Sequence, residues 1–177
     1  GDPSTMHRIC GAAVERSVAI GAQVGYRDLA GFGRRRIDYE PGELRDDILY
    51  QIGALEAFCR VAGGRVAYVK PHGALYNTAA VDEGQAGAVV AAITAYDPGL
   101  PVLCQPGSVL ATLAAGAGLR VVGEGFVDRG YLPDGRLAPR GTEGAVLAAA
   151  GHVGVVGRGQ LQLGPGVRRG GRRAADH

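Results

Sequence analysis

Tryptophan is absent from these 177 residues, aromatics make up 6%, and there is a single methionine. A core built from this chain must therefore be aliphatic. No run of about 18 apolar residues occurs, which excludes a membrane-spanning helix. No charged-then-apolar leader is visible, so no secretion signal is expected. The three cysteines, Cys10, Cys59 and Cys104, lie far apart in unlike contexts. They suit neither a disulfide framework nor a CxxC metal site, and are expected as buried thiols of a reducing, cytoplasmic compartment. Scarcest of the charged types is lysine: of 19 basic residues, Lys70 is the only one that is not arginine.

What is plentiful is glycine, 31 of 177 residues, more than double an ordinary share of about 7%. The formal net charge of +2 is unevenly placed. Residues 158–177 hold five arginines and one aspartate, so the other 157 residues are slightly acidic. A near-neutral body lacks the basic face of a nucleic-acid binder. The basic end lacks aromatics for base stacking, and 158–177 is read as a disordered Gly/Arg-rich tail.

The body alternates helical and extended patterns. Asp2 is placed to cap a helix that opens at Pro3 and carries Met6, Ile9, Cys10, Ala13 and Val14 on one face. Ser17–Ala22 reads as a short buried strand, followed by a Gly-rich loop over 23–36. Leu44, Ile48, Leu49, Ile52, Leu55, Phe58 and Cys59 form one apolar stripe of a helix that starts near Pro41 and stops at Gly63-Gly64. Strands are predicted at 65–69, 100–104 and 119–122, and helices at 82–96 and 108–117, with 70–77 as a loop. Residues 126–139 read as a hairpin turning at Pro133-Asp134-Gly135. Val153, Val155 and Val156 could form one more strand. Such alternation implies βα units around a parallel sheet. Ligand sites in these folds lie at the carboxyl ends of strands, so polar residues just after Ala22, Val69, Cys104 and Val122 are candidates.

The strongest candidate is Lys70-Pro71-His72-Gly73-Ala74-Leu75-Tyr76-Asn77, directly after a predicted buried strand. Lysine is a compact charge that can give up its proton when buried, as arginine cannot. His72 adds a group able to titrate near neutral pH. The plainer alternative is a chance lysine in an arginine-rich sequence. A second candidate is Phe126-Val127-Asp128-Arg129-Gly130-Tyr131, followed by Arg140. An Asp-Arg pair at a strand end can orient a carboxylate through forked hydrogen bonds, or can simply brace the hairpin. The third is the loop from Gly21 to Arg36, including Tyr26. Its spacing is neither GxGxxG nor GxxxxGK[ST]. His7, His152 and His177 have no partners at metal-ligand spacing, so no metal site is expected. Ser108 lacks a GxSxG context and reads as a helix cap.

KPHGALYN at 70–77, GYRDLAGFGRR at 25–35 and FVDRGYLPDGRLAPR at 126–140, in this order and spacing, resemble the LamB/YcsF family. Gly1-Asp2-Pro3-Ser4 is similar to the end of that family's CGFHAGDPS motif. The resemblance implies an α/β fold, a seven-stranded β/α barrel of the glycoside hydrolase/deacetylase type, covering 1–157. It implies ATP-dependent opening of 5-oxo-L-proline to L-glutamate, with Mg2+ accompanying the ATP and with 5-oxoprolinase subunits B and C as partners. Coupling to ATP suits a stable lactam, because phosphorylating the amide oxygen makes a better electrophile. Carried onto this chain, Lys70 would offset developing negative charge and His72 would act as acid/base or ligand. Asp128 and Arg129 would join them as catalytic residues. Asp2, Tyr26, Asn77, Tyr131 and Arg140 would contact substrate. The strand motifs DLNxDLGE and CVHGD are missing, and Gln23 stands where the family's GAHPGY has histidine. These departures give the expectation of a barrel incomplete at both ends and inactive alone. The alternatives are a metal-dependent polysaccharide deacetylase and a non-catalytic remnant that keeps a partner-binding surface.

Overall fold

The computed structural model describes residues 1–132, 135–138 and 141–146. Gly1–Glu124 form one compact unit, and the described residues from Gly125 onward belong to a second.

The first unit opens with helix α1 (Pro3–Glu15), capped as its sequence predicts: the Asp2 carboxylate accepts from the Thr5 backbone N–H. The chain leaves α1 through Ser17, at φ 55°, whose N–H donates to the Val14 carbonyl while that of Val18 donates to Ala13. This winding consumes the first residues of the predicted strand, so β1 is only Ile20–Ala22. Helix α2 (Pro41–Val61) follows the Gly-rich loop, with Glu40 capping Gly42 and Glu43. Of the predicted stripe, Leu44, Ile48, Ile52 and Cys59 are fully buried, while Leu49, Leu55 and Phe58 are partly buried against them.

Strand β2 (Val66–Val69) leads to a helix that the sequence pattern misses. Residues 70–77 are not all loop, because α3 spans Gly73–Ala79. Gly73, at φ 58°, turns the chain into this helix. Helix α4 (Glu83–Tyr96) is capped by Asp82, and α5 (Val109–Gly116) by Ser108, the cap role expected for that serine. Between and after them run β3 (Val102–Cys104) and β4 (Val121–Gly123).

The four strands form one parallel sheet in the order β1-β2-β3-β4. Val69 and Val102 of the sheet and Ile48, Ile52, Leu75, Val89 and Ile93 of the helices are fully buried in one aliphatic core. Every strand therefore points the same way, and all four carboxyl ends lie along one edge. The residues that follow them are Gln23, Lys70, Gln105 and Glu124. The fold is α/β with four strands among the described residues, against the seven implied by the resemblance.

In the second unit, Tyr131 and Leu137 pair antiparallel, and Leu132 N–H donates to the Arg136 carbonyl at 2.7 Å. This is the predicted hairpin at its described positions. Pro133, Asp134, Pro139, Arg140, the strand proposed around Val153–Val156, His152, His177, the boundary at 157 and the tail 158–177 lie outside the described residues.

Candidate functional site

Lys70 follows β2 directly, and Glu124 follows β4. Both backbones are tied into the sheet: Lys70 N–H donates to the Ala22 carbonyl at 2.9 Å and Glu124 N–H to that of Cys104 at 3.0 Å. Their side chains meet across the end of β3, the Lys70 ammonium donating to Glu124 Oε1. Each side chain is about one-fifth exposed, at 21% and 20%. The partner oxygen, Glu124 Oε2, is buried and has no hydrogen-bond partner among the described residues. Gln105, at the end of β3 between them, is also buried. The lone lysine is thus part of a charged pair at the edge where a ligand site belongs in a parallel sheet.

Sequence reasoning missed Glu124. A signal was present, since it stands two residues beyond Val122 and so satisfied the strand-end criterion. What the sequence lacks is the sheet order that brings the ends of β2 and β4 to either side of β3.

His72 sits three residues past β2, in a cluster of its own. Its Nε2 lies 2.8 Å from the Phe32 carbonyl. A carbonyl oxygen only accepts, so Nε2 carries the proton and Nδ1 is the nitrogen able to accept one. The ring also packs edge-on against Phe32 at 5.2 Å. Phe32 itself is left-handed at φ 55°, an uncommon conformation for a bulky residue. The loops 23–36 and 70–74 are stitched together by His72 N–H to Val24 at 2.7 Å and Ala74 N–H to Gly33 at 2.9 Å.

A groove of about 630 Å³ opens beside this cluster. Met6 and Ile9 of α1, Gln23 and Tyr26 of the loop, Gln51 of α2 and His72 are among its walls. Arg34, Arg35 and Arg36, next to it in the loop, each have a partner. Arg35 grips Asp28, Arg36 reaches Asp82 at 3.4 Å, and Arg34 lies over the Phe32 ring at 5.5 Å. The Arg35 guanidinium, with the Gly31 N–H, holds the Asp28 carboxyl down at about 2.

The remaining sequence candidates are distributed as follows. Tyr26 is buried, stacks on Tyr39 at 5.7 Å and donates its hydroxyl to Gln85 at 3.0 Å, and burial pushes that hydroxyl above its usual range. Asn77 is exposed and donates to the Gly73 carbonyl at 3.2 Å. Both carboxylate oxygens of Asp2 are engaged by Thr5, which lowers its pKa. In the second unit, Asp128 lies in a turn. Arg129 makes no ion pair with it. Its guanidinium instead donates to the carbonyls of Ala138 and Ala145. The Tyr131 hydroxyl accepts from Phe126 N–H at 2.6 Å. Arg140 lies outside the described residues.

Among the described residues no group of three or more His, Cys, Asp or Glu side chains is placed to hold a metal ion. A deacetylase-type centre therefore has no donor set there.

A relative from Nocardia farcinica, named as the A subunit of 5-oxoprolinase, is 54% identical across 94% of this chain and 71% of its own length. Its namesake from Streptomyces avermitilis is 60% identical across 83% of this chain and 59% of its own. Among solved structures, a lactam utilization protein from Thermus thermophilus superposes with a TM-score of 0.81 at 46% identity, over 84% of this chain and 60% of that one. The chain thus spans about three-fifths to seven-tenths of the length of these relatives. The LamB/YcsF family pattern matches residues 1–155, and the chain belongs to that family.

Proposed function

We propose that this chain provides the lactam-handling part of an ATP-dependent 5-oxoprolinase, in which 5-oxo-L-proline is opened to L-glutamate together with partner subunits B and C. Two relatives named for 5-oxoprolinase and a structural neighbour named for lactam utilization support the substrate class. The observation that carries the reading in this chain is Lys70, its only lysine, held by Glu124 at the carboxyl edge of a parallel sheet. The four strands would form part of the seven-stranded barrel, with that edge as its open mouth.

Ring opening adds one water to the amide carbon, breaks the C–N bond and leaves a new carboxylate and a free amine. Negative charge develops on the carbonyl oxygen as the carbon becomes tetrahedral. A fixed ammonium beside that oxygen stabilises the transition state more than the ground state, which is what accelerates a reaction. Lys70 would serve in that way. The resemblance also makes His72 an acid/base candidate, in a cluster separate from the Lys70–Glu124 pair. No step is assigned to the nucleotide.

The test is reconstitution of the full chain with both partner subunits, ATP and 5-oxoproline, and measurement of glutamate. Lys70→Ala is expected to lower turnover by about 10²-fold or more. Undiminished turnover in that variant would remove Lys70 from the chemistry. A reconstituted complex that forms but makes no glutamate would instead favour a non-catalytic, partner-binding role.

A further inference from the structure

A buried carboxylate oxygen without a donor is costly, and such groups in native proteins call for a partner. Glu124 Oε2 is one, beside an Oε1 that the Lys70 ammonium already holds. The pair therefore offers two unlike features next to each other. One is a hydrogen-bond acceptor that can only accept. The other is an ammonium that can only donate.

Such a neighbouring acceptor and donor fit a molecule that presents an N–H and a C=O along one edge, as primary amides and lactams do. An open-chain secondary amide is trans, so its N–H and C=O point in opposite directions. In a five-membered lactam the ring forces the amide cis, and N–H and C=O lie along the same edge. We propose that the Lys70–Glu124 pair reads this cis-amide edge: Glu124 Oε2 accepts the ring N–H while the Lys70 ammonium faces the ring carbonyl. This rests on the lactam reading above and adds to it a named specificity residue, Glu124. It also gives the ion pair a reason to stand on either side of β3, since backbone hydrogen bonds to Ala22 and Cys104 fix both residues to the sheet. The Lys70 charge would then be aimed at the oxygen that becomes negative on ring opening.

The test needs no turnover. Binding of 5-oxoproline to the full chain is compared by saturation-transfer NMR with that of the corresponding lactone, 5-oxotetrahydrofuran-2-carboxylate. The lactone has the same ring and carboxylate, but an oxygen lone pair replaces the N–H and would face Oε2. The lactam is expected to bind about tenfold or more tightly. In Glu124→Gln, whose side-chain amide can donate as well as accept, that preference should fall to near unity. A merely structural role for Glu124 would weaken both ligands together and leave the ratio unchanged. Equal binding of lactam and lactone by the unaltered chain would overturn the assignment while leaving the lactam reading standing, and this arm does not depend on whether the variant folds. Binding of neither ligand would overturn both.

Discussion

Gly73→Ala isolates the joint between the two loops of the site. Gly73 sits at φ 58°, where an alanine is disfavoured by about 1 kcal/mol. Space is a second obstacle. A Cβ there would fall within contact distance of the Gly33 carbonyl oxygen and 3.1 Å from its carbon, which is backbone and cannot swing aside. Relief requires the two loops to part, and they are joined by the hydrogen bonds Ala74 to Gly33 and His72 to Val24. Losing both costs about 2 kcal/mol at roughly 1 each. The expected destabilisation is therefore about 3 kcal/mol. In urea, with an m-value of about 2 kcal/mol/M, the midpoint should fall by about 1.5 M by circular dichroism. Gly53→Ala is the matching control. That glycine is exposed inside α2, and a Cβ there meets nothing within 4 Å. Its replacement should stabilise by up to about 1 kcal/mol. A Gly73→Ala midpoint within about 0.5 M of the unaltered protein would refute the account of the joint.

Other expectations follow from the ionisable groups. Asp28 is held at about 2, against 3.8 when free, so its pair with Arg35 contributes stability above pH 4 that fades as pH falls toward 2. The difference in urea midpoint between the protein and Asp28→Asn should be full at pH 6 and shrink steadily below pH 4. A constant difference would contradict this. Burial pushes the Cys59 thiol up to about 12 and Cys104 to about 11. At pH 8 their thiolate fractions are about 10⁻⁴ and 10⁻³, so neither should react with a disulfide reagent until the protein unfolds. Rapid labelling of the folded chain at either position would show that the core opens readily.

The apolar stripe of α2 and the helix caps at Asp2 and Ser108 were legible because they depend on local spacing. Strand ends were less so. Ser17–Ala19 has strand-like composition, but the α1 exit winds through it using hydrogen bonds back to Ala13 and Val14. The helix α3 was hidden by Gly73, whose positive φ is a property of the packed loops rather than of the local sequence. Within the site, Lys70 stood out by rarity and position. Glu124 and the Asp28–Arg35 pair did not, because the first is defined by the sheet order and the second by the fold of a loop. Arg129 was singled out, but its partners were ambiguous, since two backbone carbonyls leave no mark in the sequence.

The scarcity of lysine has a practical consequence. Lys70 is the only side-chain amine in the sequence, and it is anchored in an ion pair only one-fifth exposed. Amine-directed acylation therefore interrogates one atom of the side-chain inventory, with no competing surface lysines to dilute the signal. Intact mass alone follows its modification, without peptide mapping, once the chain's terminal amine has been blocked. The rate of that single acylation, with and without a candidate ligand, turns an accident of composition into a built-in reporter at the carboxyl edge of the sheet.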